Sequence, residues 1–191
     1  MRALQGWDTT ATYDGDFEKL TPGGYVCRIV NSRVEKRENT GDMLVLQLEI
    51  EEGEHKGFGR REYERKAARN SQTAKWPLVA RQFTEDRDGM ANPHFKGLVS
   101  CVEKSNPGYR WAWDETSLKG KLIGYTFRAE EFIGQTGEVI SVVKPHQARN
   151  VDAIREGVQV PAPSRIKETS AEQRYPAGFE QVDAGDELPF D

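Results

Sequence analysis

This 191-residue chain is predicted to be mainly β, with five strands forming a barrel-like sheet, a helical insertion between strands three and four, and a disordered acidic C-terminal tail. Three observations carry the prediction. Leu44, Leu46, Leu48 and Ile50 recur with period two against Val45, Gln47 and Glu49, the signature of a strand with one buried face. Further segments rich in β-branched residues are separated by Gly- and Pro-bearing turns. Beyond about Val151 both strand and helix signals fade into Pro, Ser, Glu, Gln and Gly. With 36% hydrophobic residues and a mean hydropathy of -0.75, the core is modest and part of the chain is left unpacked.

Taken in order, residues 1–20 are polar with Trp7, Tyr13 and Phe17 spaced through them, an arm that packs onto the body. After the turn Pro22-Gly23-Gly24, Tyr25–Val34 reads as strand one, and Glu38–Asp42 turns the chain into strand two. Gly53–Gly59 is a second turn, and Arg60–Lys66 reads as strand three of an antiparallel meander. Ser71 or Thr73 is placed to cap a helix carrying Trp76, Leu78, Val79, Gln82 and Phe83, with Pro77 in its first turn. Phe95, Leu98, Val99 and Val102 mark a second helix by their spacing. Asn106-Pro107-Gly108 turns the chain again, and a short Asp114–Leu118 segment leads into strand four at Lys121–Arg128. The turn Gly134–Gly137 separates it from strand five at Glu138–Lys144, and a brief helical turn follows at Asp152–Glu156. The chain therefore divides into a domain of residues 1–150 and a linker with tail of residues 151–191.

Charge is distributed unevenly. The net charge is -4, but residues 177–191 hold Glu180, Asp183, Asp186, Glu187 and Asp191 with no Lys or Arg, so the body is close to neutral with local basic clusters. An acidic average is thus no argument against a nucleic-acid partner. Cys27 and Cys101 sit in apolar contexts without metal-type spacing and read as buried free thiols, which suits a reducing cytoplasm. No stretch reaches the ~20 apolar residues that span a bilayer, and the N-terminus lacks a signal-peptide pattern, so a cytoplasmic protein with no membrane partner is expected.

Three meander strands, a helical insertion and a closing hairpin match the strand order of an OB fold, in which the face of strands two and three and the loops joining strands one–two and four–five bind oligonucleotides. The same order also fits a five-stranded sandwich or an α+β sheet. The segments Pro22–Val30, Gly41–Ile50, Glu52–Gly57 and Leu118–Gly124 resemble phage-encoded single-stranded DNA-binding proteins over roughly residues 20–145. The tail, Asp183-Ala184-Gly185-Asp186-Glu187-Leu188-Pro189-Phe190, is similar to the acidic tip of bacterial single-stranded DNA-binding proteins, with Asp191 following the aromatic ring. Carboxylates steer such a tip to a basic surface and Phe190 fills a pocket. The resemblance implies that Asp183, Asp186, Glu187, Leu188, Pro189 and Phe190 recruit replication, recombination or repair proteins. The tail is also expected to compete with DNA for the protein's own basic groove.

A single strand needs cations along its phosphates and flat side chains under its bases. As a strand, residues 60–66 would put Arg61, Tyr63 and Arg65 on one face, with Glu62 and Glu64 opposite. Arg33, Lys36 and Arg37, offset by Glu35 and Glu38, form a basic loop between strands one and two. Trp111 and Trp113 alternate after Tyr109 and Arg110; they are candidates for stacking, although one of the pair is expected to close the barrel end. Ile123, Tyr125 and Phe127 share a face and read as core, as do Trp76, Leu78, Val79 and Phe83. Edge strands open to pairing leave room for a homo-oligomer.

Signals for catalysis are weak. His55, His94 and His146 are scattered, with neither an i,i+4 nor a Cys-paired metal spacing. There is no Gly-rich phosphate loop and no Gly-x-Ser-x-Gly elbow. Neither a catalytic residue, a metal ligand nor a cofactor is assigned. The expected function is a non-enzymatic protein that coats and protects single-stranded DNA without sequence specificity. Its rivals are an adaptor or inhibitor that uses the acidic tail without touching DNA, and a metal-dependent nuclease (Glu62, Glu64 and Asp114) or strand-annealing factor.

Overall fold

A computed structural model describes residues 2, 5, 7, 18–37, 41–134 and 136–166. The expected arm is therefore described only in part, and the tail residues Asp183–Phe190 lie outside the described residues. Strands β1 (Gly23–Glu35), β2 (Met43–Ile50), β3 (Val79–Phe83), β4 (Leu122–Ile133) and β5 (Val139–Arg149) form one antiparallel sheet in the order β3-β2-β1-β4-β5. Among the described residues three helices accompany them: α1 (Phe58–Arg69) between β2 and β3, α2 (Pro93–Ser105) between β3 and β4, and α3 (Val151–Glu156) after β5. A short 3₁₀ helix, Glu115–Leu118, leads into β4. The sheet is not closed by hydrogen bonds. Its two edges nonetheless face a common space: Ala80–Gln82 of β3 and Pro145–Arg149 of β5 line one cavity of about 220 Å³ above α2.

The period-two alternation of β2 puts Leu44, Leu46, Leu48 and Ile50 on the inner face, each 1% exposed or less. They meet Cys27 and Ile29 of β1, Ile123, Tyr125 and Phe127 of β4, and Phe95, Leu98, Val99 and Val102 from one side of α2. Burying each large side chain contributes about 1.5–3 kcal/mol, so this cluster holds the sheet on its helix. α2 starts where Asn92 accepts a hydrogen bond from the His94 amide at 2.9 Å with Pro93 in the first turn. It is tied to β4 at its other end, because the Asn106 amide donates to the carbonyls of Val102 (2.7 Å) and Leu122 (2.8 Å). Cys27 is buried and Cys101 half-buried, both as free thiols.

Two expected elements are corrected. Residues 60–66 are not strand three but part of α1, and the strand beside β2 is Val79–Phe83, where a helix was expected. The reason for the first lies in composition: Phe58–Arg69 contains no β-branched residue and is rich in helix formers. Glu62 pairs with Arg65 at 2.6 Å and with Lys66 at 3.2 Å, one helical turn on. The reason for the second is tertiary. The free edge of β2 accepts a ladder from Val79–Phe83, and pairing overrides the helical spacing of its apolar residues. Strands one, two, four and five and the helices at 93–105 and 151–156 lie where the sequence puts them, β4 and β5 running several residues longer.

α1 lies close on β2 through a glycine. A Cβ on Gly59 would sit 3.0 Å from Glu49 Oε1 and from Trp76 Cζ2, and 3.2 Å from the Leu48 carbonyl. Gly57, at φ 78°, turns the chain into the helix but provides no side-chain cap. Glu49 supplies it instead: its carboxylate accepts from the amides of Gly59 (2.8 Å) and Arg60 (2.7 Å), as well as from Ile50 (3.0 Å). Among the described residues no helix is long and apolar enough to cross a membrane.

Candidate nucleic-acid interface

The outward face of β1-β2-β3 follows from the register. Arg33 stands opposite Val45, and Val45 opposite Arg81, so the two guanidinium side chains flank one buried valine in a single row. The next row is Asn31, Gln47 and Val79. α1 and the segment before β3 rise beside this face and make it a groove of about 810 Å³. Among the described residues its lining holds four cations (Arg33, Lys75, Arg81 and Lys144), the rings of Tyr63 and Trp76, and no carboxylate.

The aromatic pair is held by the packing of α1. Trp76 donates from Nε1 to the Leu48 carbonyl at 2.7 Å, which fixes its ring against β2. Tyr63 reaches across from α1, with ring centroids 5.7 Å apart and planes 34° apart. Among the described residues neither Lys75 nor Arg81 has an ion-pair partner, whereas Arg33 meets Glu35 at 2.6 Å and Lys144 meets Glu130 at 3.3 Å. Burial acts to raise the Glu130 carboxyl, but hydrogen bonds from Arg128 and Lys144 outweigh it and hold it below the usual 4.5. Exposed pairs of this kind are worth only about 0–1 kcal/mol, so a phosphate can displace the carboxylate at little cost.

The structure brings Arg33 and Tyr63 together and separates the other sequence candidates. On α1, Arg61 and Tyr63 are two residues apart and point to different sides, which corrects the expected Arg61-Tyr63-Arg65 strand face. Arg61 turns to Glu18 (2.7 Å), and Arg65 forks onto Glu62 (2.6 and 2.8 Å). That fork, with Lys66 beside it, holds the Glu62 carboxyl below its usual value. Lys36 bonds Asp42 at 2.8 Å, and Arg37 approaches Glu35 at 3.8 Å.

Trp111 and Trp113 are elsewhere, beside Phe95 in a cavity of about 360 Å³ whose rim carries Asp42, Glu85 and Glu115. Trp111 is half-buried, with its Nε1 enclosed and lacking an acceptor, while the Trp113 ring is 80% exposed. Trp113 has a φ of 61°, alone among the described non-glycine residues in being positive, a conformation that costs about 1–2 kcal/mol. Carboxylates around these indoles repel phosphate, so they do not extend the basic groove. Sequence reasoning missed Lys75, Trp76 as a groove residue, Arg81 and Lys144. The available signal is the alternation Val79, Arg81, Phe83 shortly after the Lys75-Trp76 pair.

A family model described as a protein of unknown function, DUF669, matches residues 8–84. The matched span runs from before β1 to the end of β3, and so includes Arg33, Tyr63, Lys75, Trp76 and Arg81 but neither Trp111 nor Trp113. None of the curated proteins matches the chain.

Proposed function

We propose that the protein binds single-stranded DNA without sequence specificity in the groove of Arg33, Tyr63, Lys75, Trp76, Arg81 and Lys144. One observation carries the reading: four cations and two aromatic rings line a single groove that, among the described residues, contains no carboxylate. Cations neutralise phosphates while rings stack on bases of any identity, which is the chemistry a strand-coating protein needs. The sheet order supports it. β3-β2-β1-β4-β5, with its edges facing each other, is the order of an OB barrel opened between β3 and β5, and the groove lies on the face that OB folds use for oligonucleotides. In this reading Lys36, Arg37, Arg61 and Arg65 serve mainly as ion-pair partners within the domain.

Coating protects the strand by occupying its bases and backbone, without catalysis or a cofactor. The acidic tip Asp183–Phe190 is the part of the same proposal that rests on sequence alone; it recruits replication, recombination or repair proteins. The test is titration with oligo-dT at two salt concentrations, following tryptophan emission. Binding should quench Trp76 and weaken with a log–log salt slope of roughly -3, about -0.7 for each of the four groove cations. Absence of binding at low salt, also with residues 167–191 deleted, would remove the DNA reading and bring forward the tail-dependent adaptor.

A further inference from the structure

We propose that the Trp111–Trp113 cavity is a second binding site, which takes an arginine side chain of a partner protein. Its walls are aromatic: Trp111 and Trp113 lie 6.4 Å apart with planes at 59°, and Phe95 meets Trp111 edge-on at 6.2 Å. Its rim is acidic. Among the described residues Glu85 and Glu115 have no ion-pair partner, and Asp42 holds only Lys36. The three carboxylates act on one space, since the Lys36 ammonium is held charged first by its bond to Asp42 and further by Glu85 and Glu115.

Charge decides the class of occupant. Phosphate and the chain's own acidic tail are repelled, so neither DNA nor residues 177–191 belong there. A cation is attracted both to the carboxylates and to the indole faces. A metal ion is the wrong cation, because among the described residues no three ligating side chains converge to hold one. A guanidinium fits better than an ammonium: it is flat enough to stack on Trp113, and its five N–H donors reach carboxylates at the rim simultaneously. Trp113 has its backbone in the left-handed region and its indole exposed to solvent, where an incoming side chain meets it.

The test is isothermal titration of the full-length protein with acetylated, amidated tri-arginine. Saturable binding is expected, weakened about tenfold in the Glu85→Gln/Glu115→Gln double variant and again in Trp113→Ala, with tri-lysine binding several-fold more weakly. The glutamine variant keeps the acidic tail and the shape of the rim, and its melting temperature and near-ultraviolet circular dichroism verify that it is folded. Equal affinity of that folded variant, equal binding of tri-lysine, or no binding at all would overturn the proposal. None of these outcomes depends on whether the basic groove binds DNA.

Discussion

In the proposed mode of binding, individual groove side chains divide the binding energy by type. Arg81→Ala removes one phosphate contact and should lower the salt slope by about 0.7 while weakening all sequences alike, measurable by titration over a salt series. Tyr63→Ala removes a stacking surface and should cost about 1–3 kcal/mol of affinity with the slope unchanged. Arg61→Ala should leave DNA affinity as it is, because that guanidinium is engaged with Glu18 away from the groove. Much at this scale was legible. The inward residues of β2 and β4 and the apolar stripe of α2 all report burial directly, since only buried positions enforce a periodicity. Tyr63 lines the groove, but from a helix and not from the expected strand. A charged segment alternates in sign as readily on a helix as on a strand, so Arg61-Glu62-Tyr63-Glu64-Arg65 carried no information about its period. The absence of β-branched residues was the better signal. Trp111 and Trp113 are candidates by residue type alone, and two of the three carboxylates beside them, Asp42 and Glu85, come from distant parts of the chain.

At the scale of elements, the groove exists because α1 is held down at its N-terminus. Glu49→Ala should leave two α1 amides without an acceptor and destabilise the domain by about 1–2 kcal/mol in chemical denaturation, with a loss of DNA affinity as Tyr63 shifts. The other close approach is α3 on the sheet. A Cβ on Gly124 would come within 2.5 Å of Ile154 Cγ1 and 2.7 Å of the Asn150 carbonyl, and one on Gly24 within 2.5 Å of Val158 Cγ2. Gly124→Val should therefore cost about 1–3 kcal/mol by overpacking, read from a melting curve. Neither glycine stands out in the sequence, because what limits both is the α3 segment, distant in the chain: side chains of Ile154 and Val158 at Gly24, and Ile154 with the Arg149 and Asn150 carbonyls at Gly124. The exchange of strand and helix between 58–69 and 79–83 has a similar origin: β3 is a strand because β2 offers it an edge, a fact of assembly that local spacing does not contain.

For the whole molecule, charge organises stability and, in the proposed function, binding. Arg28 holds Glu51, Arg155 holds Glu52 and Arg65 holds Glu62 below the usual carboxyl value of 4.5 in the folded state. Groups depressed by folding bind more protons when unfolded. Their contribution is thus complete above about pH 4.5 and disappears as pH falls through the lower folded values. The melting temperature should accordingly be flat near neutrality and drop below pH 4.5, and a midpoint insensitive to pH 3–4 would contradict these pairings. Among the described residues, a cationic groove without carboxylates stands apart from an acid-rimmed tryptophan cavity. Where the strand lies is therefore the central claim, and photo-crosslinking of oligo-dT followed by peptide mapping tests it most directly. Adducts are expected at Tyr63, Trp76 and the neighbouring segment to Arg81. Adducts confined to Trp111 and Trp113, with none in the groove, would contradict that claim.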